Sequence, residues 1–248
     1  MSERPLEGQV ALVTGASKGL GRRLVEELVA AGVQVAALAR PSASLDRLRE
    51  DFPDTVAALP CDIRSSEAVN AAIAEAVTRF GQLDIVINNA AACLVNKVED
   101  LTDEDVRTEV ETNLLAPIWI VRAAIPHLRR SGRGQVVNVT SESAVQYTPL
   151  LAVYASTKAA LERFSINLRT ELRNDAIRVS VVRSGFMSDT AVLDQWSETQ
   201  ASAFFSHYTG SEEQAQSGGA MSALTVAKAT VELLSRTGAT SRILEIGG

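Results

Sequence analysis

With 248 residues, 46% hydrophobic and 22% charged, the chain is long enough to bury a full core, and its composition is ordinary for a globular protein. No apolar run reaches the roughly 18 residues that would span a bilayer, which argues against a membrane protein. A net charge of −6 without a long basic run argues against a nucleic-acid partner, since phosphate binding needs clustered Lys and Arg.

Along the chain, short β-rich runs alternate with longer helical patterns. QVALVT opens the series and ends in a glycine-rich turn, TGASKGLG, with Gly15, Gly19 and Gly21 between the first strand and the first helix. VQVAALA follows and ends at Ala39 and Arg40; Ser42 then opens the helix SASLDRLRED. After TVAALP, Ser66 marks the start of EAVNAAIAEAVTRF, and LDIVINN is the fourth strand. Thr102 with Asp105 has the form of a capping box. The helix NLLAPIWIVRAA carries Pro117, which has no N–H and should cost a helix interior roughly 3 kcal/mol. The most basic stretch, between residues 122 and 133, reads as a solvated helix end whose cations favour the C-terminal dipole. QVVNVT, IRVSVV and RILEI complete seven strands, with six helices between them. Such alternation implies right-handed crossovers and a doubly wound α/β fold: a parallel sheet covered by helices on both faces, built as a single domain over residues 1–248.

One region breaks the rhythm. Residues 186–223 mix Trp196, Phe204, Phe205 and Tyr208 with Ser, Gln and Gly over a length too great for an ordinary connection, in a chain with only 4% aromatics. A lid over a substrate with an apolar arm is the functional reading; a disordered loop, or aromatics packed on the core, is the bland one.

Glycine between a strand and a helix lets the backbone approach a pyrophosphate while the helix N-terminus supplies N–H groups and positive potential. The spacing here is GxxxGxG rather than GxGxxG. At the end of the second strand, where an acid would grip a ribose 2′-hydroxyl, stands Arg40, and Lys18 adds a second cation. Together they favour a 2′-phosphate, hence NADP(H), over NAD(H).

YASTK places Tyr154 and Lys158 four apart on one helix face. A free tyrosine titrates near 10, too high for easy proton exchange at neutral pH, and a neighbouring ammonium favours the phenolate. The spacing occurs by chance in many helices, so by itself the pair reads as a half-buried tyrosine beside a solvated lysine. His127 and His207 have no metal-ligand partners at useful spacing, so no metal site is expected. Cys93 reads as a small buried hydrophobe near the pocket. With Cys61 it makes only two cysteines, and the start MSERPLEGQVALVTG lacks signal-peptide features, so a reducing cytoplasm is the expected setting.

TGASKGLG, NNAA at residues 88–91, Asn113, Ser141 and YASTK, in this order, resemble the short-chain dehydrogenase/reductase family from about residue 6 to the final GG. The resemblance implies a Rossmann-type sheet of order 3-2-1-4-5-6-7, a nicotinamide cofactor and hydride transfer to or from a carbonyl carbon. It assigns Tyr154 as general acid in reduction, Lys158 to the nicotinamide ribose and the Tyr pKa, and Ser141 to the substrate oxygen. Asn113 becomes the fourth catalytic member; Pro117 would leave its carbonyl without a helical donor and open to a proton-relay water, unless the proline only bends the helix. Carried over in the same way, the cofactor would touch Gly15, Ser17, Lys18, Gly19, Leu20, Gly21, Arg40, Asp62, Ile63, Asn89, Ala90, Tyr154, Lys158, Gly185 and Met187. The chain departs from the family pattern at Ala91, at Ser184 before Gly185, and at Asp189, where the family's Thr is displaced to Thr190. The implied protein is a cytoplasmic homo-oligomer, a tetramer or a dimer, reducing an apolar ketone or aldehyde with NADP(H). Alternatives are an NAD-dependent secondary-alcohol dehydrogenase and a catalytically silent NADPH-binding sensor or scaffold.

Overall fold

The computed structural model describes residues 5–187, 189–208, 221–236 and 243–246. Its strands are β1 (Val10–Thr14), β2 (Gln34–Ala39), β3 (Val56–Pro60), β4 (Ile85–Asn88), β5 (Gln135–Ser141), β6 (Arg178–Ser184) and β7 (Ile243–Ile246). All pair in parallel in the order β3-β2-β1-β4-β5-β6-β7.

Helices α1 (Gly19–Ala30), α2 (Ala43–Asp51) and α3 (Ser66–Phe80) follow the first three strands. Then come α4 (Asp103–Val110), a wide turn (Glu111–Leu115) that runs into α5 (Ala116–Ser131), α6 (Ala152–Glu171), α7 (Glu198–Tyr208) and α8 (Ala223–Ser235). These make eight α-helices among the described residues against the six expected. The additions are α4, set off from α5 by the wide turn, and α7, inside the region expected to be a lid.

Alternation along β1 sorts the core into two layers, because successive strand residues face opposite sides of a sheet. Ala11 and Val13 pack under α1 and α8 with Leu24, Leu28, Val226 and Leu233. Val10 and Leu12 face the other layer, with Val69 and Ile73 of α3, Ile120 and Leu128 of α5 and Leu168 of α6. Each such side chain contributes about 1.5–3 kcal/mol when fully buried.

Hydroxyl caps set the starts of α2, α3, α4 and α8. Ser42 accepts from the Leu45 N–H, and Thr102 and Asp105 form the expected capping box. On α3 the cap is Ser65, one residue before the predicted Ser66, because Ser65 is the residue left in extended conformation to accept from the Ala68 N–H. The α1 N-terminus has no such side-chain cap.

Pro117 lies just past the wide turn, in which the Ala116 N–H reaches back five residues to the Glu111 carbonyl. The helix therefore absorbs the proline by shifting its hydrogen-bond register one residue early, and the ring falls in the first turn of α5, where no N–H is needed. α5 also carries Pro126 in its interior.

Candidate active site

A cleft of about 860 Å³ opens at the carboxyl ends of the strands, where an open α/β sheet binds ligands. Of the residues predicted to bind cofactor or catalyse, all but Asn113 line it, including the guessed Met187. Arg40 and Asp62 stand at one end, and Ser141, Tyr154 and Lys158 at the other.

At the phosphate end the backbone decides the geometry. Gly15 adopts φ 64°, in the left-handed region. A Cβ on Gly21 would lie 2.0 Å from the Gly15 carbonyl oxygen and 2.7 Å from Asn89 Nδ2, so only glycine lets α1 start this close to the strand ends. Asn89 Nδ2 donates to the Thr14 carbonyl at 2.8 Å, and the Asn89 and Ala90 amides both donate to Thr14 Oγ1 at 3.0 Å. Asn88, by contrast, points away, donating to Asn138 inside the sheet.

An anionic dinucleotide fits this end: α2, α3, α4 and α8 close their N-termini with their own hydroxyls, whereas α1 keeps its first N–H groups free of any side-chain cap at the cleft. The two cations differ in surroundings. Arg40 is exposed at the rim, while Lys18 Nζ lies 3.5 Å from Asp194 on the segment crossing the cleft. Asp62 is already engaged, accepting from the Arg64 backbone N–H and guanidinium, and these contacts hold its carboxyl below the usual range.

The chemical end gathers side chains from three elements. Ser141 closes β5, and Tyr154 and Lys158 lie one turn apart at the start of α6. Ser141 lies close enough to bear on the Tyr154 phenol, and its Oγ accepts from the Ser143 N–H and donates to Ser143 Oγ, both at 3.2 Å. Lys158 Nζ sits 5.6 Å from the Tyr154 ring centroid and donates to the Val139 carbonyl at 3.0 Å.

Burial pushes the Tyr154 phenol up, the nearby Cys93 adds to this, and the Ser141 hydroxyl opposes it. Burial also lowers Lys158 to about 8. The expected lowering of the tyrosine by its lysine does not appear: desolvation dominates both groups, and the ammonium is anchored on backbone.

Asn113 is fully buried and does not reach the cleft. Its side chain is taken up by residue 92, accepting from the Ala92 N–H at 2.9 Å and donating to the Ala92 carbonyl at 2.8 Å and to Thr157 at 3.1 Å. It holds the chain after β4 against α6. The side-chain amide is fully used in this, so the relay expected of Asn113 falls to its backbone carbonyl, to which Pro117 has no N–H to donate.

The substituted positions are accommodated. Ser184 Oγ donates to the Thr140 carbonyl at 3.4 Å, and Asp189 accepts from the Ala223 N–H at the start of α8. Beneath them Arg183 pairs with Glu162, which also accepts from Thr140 Oγ1.

The segment expected to be a lid lines the cleft through Asp194, Gln195, Trp196 and Phe204; residues 188 and 209–220 and the side chains of His207 and Tyr208 lie outside the described residues. Trp196 and Phe204 line the cleft, with ring centroids 4.9 Å apart, while Phe205 packs on Phe204 and Phe186 from behind. Cys93 is buried and lines the cleft too.

Sequence reasoning missed Phe186, Ser143, Thr148, Glu109 and Gln195. Phe186 belongs to no quoted motif, and the others act through contacts that no spacing rule encodes. Among the described residues no cluster could hold a metal, and no helix is long and apolar enough to cross a membrane.

A family model described as short chain dehydrogenase matches residues 9–201. An uncharacterized oxidoreductase of Staphylococcus aureus (strain USA300) is 30% identical over 195 residues, covering 78% of this chain and 84% of that protein. The crystal structure of 3-ketoacyl-(acyl-carrier-protein) reductase from Brucella melitensis complexed with NADH is 27% identical, with TM-score 0.86 over 98% of both chains. A closed form of serine dehydrogenase complexed with NADP+, 24% identical with TM-score 0.85, covers 97% of this chain and 95% of its own and shares the fold.

Proposed function

The chain belongs to the short-chain dehydrogenase family, and we propose that it is an NADP(H)-dependent reductase of an apolar ketone or aldehyde, able to run in reverse on the secondary alcohol. The observation that carries this reading is the cleft itself. Ser141, Tyr154 and Lys158 meet at one end, and at the other Arg40 stands where an NAD enzyme would place a carboxylate, with Lys18 of the glycine turn as a second cation.

When bound, the coenzyme supplies or accepts the hydride at the carbonyl carbon. The residues of the chain handle the proton. A phenol kept protonated by burial is a donor at neutral pH, so Tyr154 gives its proton to the carbonyl oxygen as charge develops there, and Ser141 holds that oxygen by a hydrogen bond. Lys158, with its ammonium lowered to about 8, stabilises the tyrosinate left behind and orients the ribose. Trp196, Phe204 and Phe186 offer the substrate an apolar wall.

A second reading, an NAD-dependent alcohol dehydrogenase, is favoured by the Lys18–Asp194 pair, which neutralises half of the cationic corner. A panel of aryl and alkyl ketones and their alcohols, followed by nicotinamide absorbance with both coenzymes, separates the two. NADPH-dependent ketone reduction supports the proposal, and equal or better use of NADH defeats its coenzyme half. The cytoplasmic, homo-oligomeric state belongs to the same proposal; light scattering of the purified protein checks its oligomeric part.

A further inference from the structure

Residues 92–96, just past β4, run between the helical rod of α4 and α5 on one side and the lid on the other, and each neighbour takes one edge of them. On the rod side Asn113 grips both backbone groups of Ala92, and Glu109, one helical turn earlier on the same face, accepts from the Leu94 N–H at 2.9 Å. On the lid side Gln195 accepts from the Cys93 N–H at 3.2 Å, Trp196 Nε1 donates to the Cys93 carbonyl at 2.6 Å, and Gln200 Nε2 donates to the Val95 carbonyl at 3.0 Å. The alternation of edges is that of a strand in a sheet, with side chains replacing both neighbouring strands.

We propose that Glu109 is a positioning residue of the substrate site, acting through Leu94 and Cys93 to set the wall on which the lid closes. Cys93 and Leu94 line the cleft, whereas Glu109 is buried and does not, so its influence on substrate is indirect. The inference rests on the reading of this cleft as a carbonyl-reducing site. A carboxyl there is costly: burial pushes Glu109 up to about 7, Asp105 on its own helix adds to this, the Leu94 amide opposes it, and the carboxyl in turn bears on Cys93 and on Tyr154 of α6. An apolar residue would fill the site at less cost but could not accept the Leu94 amide.

The test compares Glu109→Gln, which keeps an acceptor, with Glu109→Leu, which does not. With acetophenone as probe, Glu109→Leu should raise KM about tenfold with kcat within about twofold and coenzyme KM unchanged, because a hydrogen bond to a charged group is lost. Glu109→Gln should stay within about threefold of wild type.

Amide hydrogen exchange supplies a readout independent of turnover. In Glu109→Leu, exchange should quicken in residues 92–96 and also in 193–200 of the lid; in Glu109→Gln it should not. If Glu109→Leu lowers the melting temperature but leaves lid exchange and the ratio of the two KM values unchanged, the residue is merely structural and the proposal fails. Absence of ketone turnover in wild type would sink the carbonyl-reducing reading alone, and the exchange experiment would still decide the strap. Should Glu109→Leu not fold, Glu109→Ala, which also lacks an acceptor for the Leu94 N–H, decides in its place: quickened exchange in 193–200 supports the strap, and unchanged exchange there overturns it.

Discussion

The two ends of the cleft are built by different means. At the phosphate end, backbone does the positioning: Gly15 in a left-handed conformation, Gly21 with no room for a Cβ, and loop amides bonded to Thr14, all within one strand–turn–helix unit and its neighbouring strand. At the substrate end, side chains reach far along the chain to hold other backbone, Asn113 to Ala92, Glu109 to Leu94, Trp196 to Cys93. Backbone positioning tolerates no change in residue size, while side-chain positioning tolerates substitutions that keep the donor or acceptor.

The sharpest way to break this contrast is Gly21→Ala. The new Cβ would meet the Gly15 carbonyl at 2.0 Å, so the turn must move, and a loss of about 3 kcal/mol or failure to fold is expected. Chemical denaturation checks this, and near-wild-type stability would show that the turn can yield.

Next comes the coenzyme corner. Neutralising Lys18 and Arg40 together should reduce the preference for NADPH by about ten- to a hundredfold while sparing NADH, because each charge-assisted contact is worth roughly 1.5–3 kcal/mol and these sites are exposed. Neutralising Asp194 should act in the opposite direction on Lys18, raising NADPH affinity a few-fold at low salt. Coenzyme titrations with both variants sharpen the comparison.

A smaller effect separates the ends by pH. Glu109 is raised from its ordinary value to about 7, so the native state binds its proton more tightly than the unfolded chain. The associated stability is present below about 4.5 and is lost as pH rises through about 7. Glu109→Gln lacks this dependence. Its stability relative to wild type should therefore climb between pH 5 and 8, by about 2 kcal/mol at most. A difference constant across that range would contradict the assignment.

How much of this was legible in the sequence follows the same division. The strand runs, the glycines, the Ser42 cap, the Thr102–Asp105 box and the placement of Tyr154 and Lys158 on one helix face are local, and local chemistry writes them into spacing. The substrate end depends on contacts between residues 15 to about 105 apart, and nothing near Glu109 or Gln195 in the chain announces them. Asp62 and Lys18 show a milder failure: their positions in the cleft follow the motifs, but Arg64 and Asp194 engage them, which a motif cannot reveal. Pro117 signalled that the helix departs from α geometry, though the form of the departure, a wide turn ahead of the proline, needs the packing of residue 92 on Asn113.

The smallest expected effect belongs to that turn. Pro117→Ala restores an N–H able to bond the Asn113 carbonyl in the α register, which should stabilise the fold by about 1 kcal/mol or less, narrow the turn and shift Asn113. Turnover per folded molecule should fall a few-fold; if it merely follows the folded fraction, the bend is architectural.

Tyr154 as the proton donor is the centre of the proposed chemistry, and Tyr154→Phe measured two ways tests it. NADPH binding by the variant, followed by coenzyme fluorescence, should remain within a few-fold of wild type, while ketone-dependent oxidation of NADPH falls by at least about a thousandfold. Retention of substantial ketone reduction with Phe at position 154 would contradict the proposed chemistry.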